Sequence, residues 1–224
     1  LEKPAVNLLA LLGLGLLLGL RHAADPDHVI AVTTIAARTR RVMPATVLGI
    51  VWGLGHTLTL FAVGAGIILF NWVVPPRVGL TMEFAVALAL ILVGLLNLRR
   101  AHQATSGLEA GAGRPLARRA FAVGLIHGVA GSAAVALLVL ATVRDPRWAC
   151  AYLAVFGLGT LAGMVLITTG FALPVATAAR RWGGAQRLIR VSTGALSLVF
   201  GIWLAYQIGW HDGLFLAVPH WTPR

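Results

Sequence analysis

The chain has 224 residues, of which 58% are hydrophobic and only 11% charged, with 26 glycines and a mean hydropathy of +0.87. A soluble domain carries about a quarter charged residues; so thin a charge cover cannot solvate a globular surface, and the composition points to an integral membrane protein. Spans of roughly 20 residues each would fill over half the chain, which excludes an attached ATPase or other soluble catalytic domain.

Read in chain order, charges and Pro/Gly punctuation delimit six apolar stretches at approximately 5–37, 45–70, 81–98, 120–142, 149–173 and 191–208. The first is too long for one straight span: as a continuous helix it would measure roughly 50 Å against a hydrocarbon core of about 30 Å. Its middle carries Arg21, His22, Asp25, Pro26, Asp27 and His28. Pro26 removes a backbone donor and crowds the preceding turn, so the sequence predicts a first helix broken near Pro26. No small-residue cleavage site follows a short apolar run, so the start is not expected to be a signal peptide.

The formal charge of +11 comes from 18 Lys+Arg against 7 Asp+Glu. In a soluble protein that excess would suggest nucleic-acid binding. Here 12 of the 18 fall in three connections: Arg38, Arg40 and Arg41; Arg99, Arg100, Arg114, Arg118 and Arg119; Arg180, Arg181, Arg187 and Arg190. Six spans place those connections on one side, and the positive-inside rule makes it the cytoplasmic side, with both termini extracytoplasmic. Nucleic acid is therefore not an expected partner. Trp72, Trp148, Trp210 and Trp221 fall at outer helix ends, as an aromatic belt would.

A spacing of about 105 residues relates Gly19-Leu20-Arg21-His22-Ala23 to Gly124-Leu125-Ile126-His127-Gly128, and Val51-Trp52-Gly53-Leu54-Gly55 to Val155-Phe156-Gly157-Leu158-Gly159. Three spans per half would make these inverted repeats, about 5–98 and 120–208, joined by a cytoplasmic linker at 99–119 within a single transmembrane domain of residues 1–224. Thr160 takes the repeat position of His56, so a site at that level is chemically one-sided. The steps Gly15/Gly19, Gly49/Gly53, Gly124/Gly128 and Gly159/Gly163 are expected to let helix backbones approach closely.

Ionisable groups inside a bilayer cost about 2.5–3.5 kcal/mol each on insertion scales, so those present demand a reason. Counting at 1.5 Å per residue from the basic boundary places Asp27 and His28 roughly 15 Å deep, His56 roughly 18 Å and His127 roughly 12 Å. His22 would lie higher unless the break folds it down. Imidazole with carboxylate suits nickel, cobalt or copper, and the shortage of thiolate argues against Cu(I) or structural zinc. A proton relay of Asp and His, or polar helix packing, are the alternatives. Arg21 is expected to pair with one of the aspartates.

Other polar residues have plainer readings. Cys150 is alone, which excludes an internal disulfide and a thiolate cluster, and is expected to pack. Glu83 is expected at the outer interface, and His102, His211, Asp212 and His220 in solvated segments. Thr33, Thr34, Thr57 and Ser132 could line a route or bond back to their own helices. No phosphate-binding Gly-rich loop and no nucleophile with the setting of a triad occurs, so an enzyme is not expected.

The segment Arg21-His22-Ala23-Ala24-Asp25-Pro26-Asp27-His28-Val29 resembles the signature of the nickel/cobalt transporter family, a His, four residues and Asp-His. Leu54-Gly55-His56-Thr57 resembles its second signature, and His127-Gly128-Val129-Ala130-Gly131-Ser132 a segment of its compact, urease-accessory-type relatives. Pro26 departs from the pattern, standing where Ala is usual. The resemblance implies metal recognition by His22, Asp27 and His28, with His56 completing or relaying it and Asp25 part of the pattern; His127, Thr57, Ser132 and Arg21 are the candidate residues along the pathway.

The resulting expectation is an all-α, polytopic permease of the cytoplasmic membrane that moves Ni²⁺ and/or Co²⁺ as substrate, inward, with no permanent cofactor. Its expected partners are the divalent ion and the lipid bilayer, and a homo-oligomer is compatible with the sequence. The alternatives are an exporter of the same family, a proton-coupled transporter of another substrate, and a membrane nickel-delivery chaperone.

Overall fold

The computed structural model describes residues 8–39, 41–70, 74–102, 114–128, 143, 145–182 and 184–221. Among them the secondary structure is helical throughout: α1 (Leu8–Ala23), α2 (Pro26–Ala36), α3 (Val42–Phe70), α4 (Pro76–His102), α5 (Arg114–His127), α6 (Pro146–Arg181) and α7 (Ala185–Tyr206), the last running into a π-helical turn at Gln207–His211. Four of these, α3, α4, α6 and α7, are long and apolar enough to cross a membrane, and the bent pair α1 and α2 makes a fifth candidate. The expected fourth span, 120–142, is described only as far as Gly128, so Ser132 lies outside the described residues.

The helices outrun the expected spans where arginines follow the apolar run. α4 extends through Arg99 to His102, and α6 continues past Pro174 to Arg181, where the expected fifth span stopped. Long basic side chains reach the interface from the last helical turns, so a charge ends the hydrophobic stretch without ending the helix. Helix covers both ends of the linker expected at 99–119, and its residues 103–113 lie outside the described residues.

The break near Pro26 is present, and α1 and α2 bend by 57°. Pro26 occupies the first turn of α2, where its missing N–H costs nothing, and Asp25 is the extended N-cap residue. The Asp25 side chain makes no capping bond to α2, because it is engaged by His22 instead.

Glycines set how the helices meet. A Cβ on Gly19 of α1 would collide with Phe156 O of α6, and one on Gly124 of α5 with Trp52 O of α3. Likewise a Cβ on Gly159 would meet Leu16 O, and one on Gly55 would meet Phe121 O. α1 therefore lies directly on α6, and α5 on α3, with backbones in contact. α3 packs on α6 between them through Gly49 against Thr168 and Gly53 against Leu161, while Gly94 and Gly194 bring α4 and α7 together.

The ends of α2, α4 and α7 meet at the basic end of the molecule. Buried Asn97 donates to Thr34 O at 2.9 Å and accepts from Arg38 Nε at 2.7 Å, and Arg190 donates to Ala37 O and Arg38 O. At the other end the chain after α7 folds back on α4: Trp221 Nε1 donates to Glu83 at 2.9 Å, and Arg77 reaches Leu216 O and Ala217 O. The tail is thus less solvated than expected, since Asp212 is buried there, although His211 and His220 are exposed. Large apolar side chains such as Leu17, Leu58, Leu92, Leu166 and Val199 point outward around the bundle, as lipid-facing residues do. Cys150 joins that outer surface instead of packing inside.

Candidate metal centre

The bend converts a contiguous motif into a converging one. His22 sits in the last turn of α1 and His28 in the first turn of α2, so the 57° break turns the two rings toward each other, with centres 4.6 Å apart. His56 enters from the middle of α3, 5.0 Å from each of the other two ring centres. The break does fold His22 down to the level of His28 and His56. One nitrogen from each of these three residues lies within 4.8 Å of the others, and all three side chains are buried.

For uncharged rings, the hydrogen bonds set the tautomers. Asp25 Oδ2 accepts from His22 Nδ1 at 3.0 Å, and Asp27 Oδ1 from His28 Nδ1 at 3.1 Å. A ring that donates through Nδ1 carries its lone pair on Nε2. His22 Nε2 then accepts from His56 Nε2 at 3.0 Å, which leaves the lone pair of His56 on Nδ1. His127 at the end of α5 donates through Nδ1 to Val123 O at 3.0 Å. In those tautomers three lone pairs stand buried without a partner among the described residues: His28 Nε2, His56 Nδ1 and His127 Nε2. Unpaired buried acceptors of this kind are uncommon in native proteins, and each calls for an explanation.

The aspartates stand behind imidazoles. Each holds an Nδ1–H and so directs the opposite nitrogen into the cluster, the carboxylate–histidine arrangement that orients metal-ligating rings. Arg21 corrects the expectation of an arginine–aspartate pair: its side chain is exposed, and no ion pair joins it to Asp25 or Asp27 among the described residues. Thr33 and Thr34 bond back to carbonyls of their own helix, whereas Thr57 Oγ1 is buried without a partner.

Two aromatic residues that sequence reasoning passed over enclose the cluster. Trp52 lies one turn from His56, with its ring centre 5.5 Å from both His28 and His127, and Phe156 lies 5.6 Å from His22. The available signal was the repeat itself, which aligned Trp52 with Phe156 as the one aromatic pair in its second match. Thr160, aligned with His56, bonds Phe156 O of its own helix and adds no ligand.

The chain is a helical membrane protein whose described residues bring three buried imidazoles together beside a bent helix pair, a group that could hold a metal ion. Residues 8–106 match the family model described as NicO, high-affinity nickel-transport protein. The chain is also 36% identical over 222 residues to the urease accessory protein UreH of Bacillus sp. (strain TB-90), covering 94% of this chain and 96% of that one. It belongs to the nickel/cobalt transporter family, a family of transporters and not of enzymes. No solved structure matches the chain.

Proposed function

We propose that the protein is a permease that carries Ni²⁺ and/or Co²⁺ inward across the cytoplasmic membrane, with the ion held by His22, His28 and His56. Asp25 and Asp27 orient His22 and His28 and supply the negative charge that offsets a desolvated dication. The observation that carries this reading is the buried triad itself, three imidazoles from α1, α2 and α3 within reach of one ion. Nitrogen donors favour the later first-row divalent ions, and nickel sites are commonly octahedral or square planar. In such sites two nitrogens about 2.05 Å from the ion and at a right angle lie about 2.9 Å apart, against about 3.3 Å in a tetrahedron. The hydrogen-bonded 3.0 Å between His22 Nε2 and His56 Nε2 is within a few tenths of an ångström of both values, so little movement would bring the two nitrogens to one ion.

Orientation follows from charge. The end bearing Arg38, Arg190 and the α4–α5 arginines faces the cytoplasm, and both termini lie outside. The architecture is read as six spans in two inverted halves. Supporting it is an exchange of contacts at the repeat spacing: Gly19 on Phe156 O corresponds to Gly124 on Trp52 O, and Gly159 on Leu16 O to Gly55 on Phe121 O. Alternating rocking of the halves would open the buried centre first outward and then inward. Inward movement draws on the membrane potential, about 4.6 kcal/mol per 100 mV for a dication.

The test is radioactive nickel uptake by cells expressing His22→Ala, His28→Ala and His56→Ala. Each variant is expected to lose most uptake at wild-type expression level. Wild-type rates in all three would remove the site assignment.

A further inference from the structure

We infer that His127 is itself a metal ligand, receiving the ion together with His28 on the side of the triad nearer α5; the inference rests on the metal reading above. Three observations carry it. His127 is fully buried, and its Nε2 has no partner among the described residues, although its Nδ1 is satisfied by Val123 O. Its nearest imidazole, His28, likewise has a buried and unpartnered Nε2, with its Nδ1 held by Asp27. The two ring centres are 5.6 Å apart. Two imidazoles bound to one ion at about 2.05 Å keep their ring centres within about 6.4 Å, and the separation of His28 and His127 falls within that bound.

The placement gives the cluster an order. His22 and His56 face one another Nε2 to Nε2, which leaves only Nδ1 of His56 bare, whereas His28 and His127 each keep a bare Nε2. His28 belongs to both groups. It lies 4.6 Å and 5.0 Å from the ring centres of His22 and His56, and 5.6 Å from that of His127. An ion can pass from the His22/His28/His56 face to a His28/His127 station while remaining bound to His28, so it never stands without an imidazole. Trp52 packs against both rings of this station, with centres at 5.5 Å. A purely structural histidine at this position would need only the bond to Val123 O. Its second nitrogen would then be a buried acceptor left unsatisfied for no return.

The experiment is a titration with Co²⁺ alone, followed by absorption spectroscopy on the full-length protein in detergent, in a Cys150→Ala background. His127→Cys is expected to add a thiolate-to-Co²⁺ charge-transfer band in the near ultraviolet that the parent lacks. Absence of that band in a folded variant overturns the ligand assignment, whatever happens to flux. If the cysteine variant does not fold, His127→Asn serves. Its amide can still donate to Val123 O, while the imine nitrogen is gone. Co²⁺ affinity is then expected to fall at least about tenfold, and an unchanged affinity overturns the inference. Unchanged Co²⁺ binding in His22→Ala and His56→Ala would instead strike at the triad, and the two failures are told apart by which variants are silent.

Discussion

His22 Nε2 and His56 Nε2 face each other at 3.0 Å in a buried setting, with Asp25 Oδ2 at 3.0 Å behind His22 Nδ1. Only one of the facing nitrogens can carry the proton, and the aspartate decides which. For both rings to turn an Nε2 lone pair to an ion, His56 must move its proton to Nδ1. In the proposed metal-bound state the ion takes the place of this hydrogen bond. Asp25→Ala should lower metal affinity by about 10–100-fold, the usual cost of losing an orienting partner, while Asp25→Asn, which keeps an oxygen acceptor, should lower it less. Equilibrium binding of nickel to the purified variants measures both, and equal losses would argue against an orienting role.

The backbone contacts of α1 and α5 leave no room for side chains. Gly19→Val places branched carbon against Phe156 O and the Thr160 N–H, and should destabilise by about 1–3 kcal/mol or more as α1 is pushed from α6. Gly13→Ala is the control, since nothing lies within 4 Å of a Cβ there, and it should leave stability unchanged or slightly raised. Thermal unfolding in detergent distinguishes them.

Trp52 fills the space between His28, His56 and His127 and is 1% exposed. Trp52→Ala should cost about 3–5 kcal/mol by leaving a cavity, and should admit water to the centre. Trp52→Phe keeps an apolar ring and loses only an indole N–H that has no partner, so it should keep most stability and uptake. A Phe variant as damaged as the Ala variant would mean that the indole nitrogen has a part beyond packing.

Topology can be read with one cysteine at a time. Cys150→Ala removes the single thiol of the chain, after which Arg147→Cys and Arg187→Cys present thiols at exposed positions at opposite ends of the bundle. A membrane-impermeant maleimide should label position 147 in intact cells and position 187 only after permeabilisation. The reverse pattern would invert the orientation drawn from the arginines.

Much of this architecture was legible because the bilayer leaves few choices. Apolar runs named the long helices, Pro26 named the break, and glycine steps named the close approaches that Gly19 and Gly124 make. The cluster was legible because ionised or polar groups at depth are costly enough to be informative. Partner choice was not. Arg21 neighbours two aspartates in sequence, yet helix geometry turns it outward while the 57° bend gives those carboxylates to His22 and His28. Trp52 was hidden for a related reason: an aromatic residue in an apolar helix looks like any lipid-facing one until the facing helix is known. The folded-back tail rests on contacts between residues more than a hundred positions apart, such as Trp221 with Glu83, which no local pattern encodes.

The central claim is that a buried imidazole triad carries nickel through this protein, and flux across a defined membrane tests it most directly. Purified protein in proteoliposomes, with an inside-negative potential imposed and radioactive nickel outside, should accumulate the ion, with cobalt competing and magnesium not. His22→Ala, His28→Ala and His56→Ala proteins reconstituted to the same density should not accumulate it. Potential-driven nickel entry that persists at the wild-type rate in the three variants, or its absence from wild-type vesicles that bind nickel, would contradict the account.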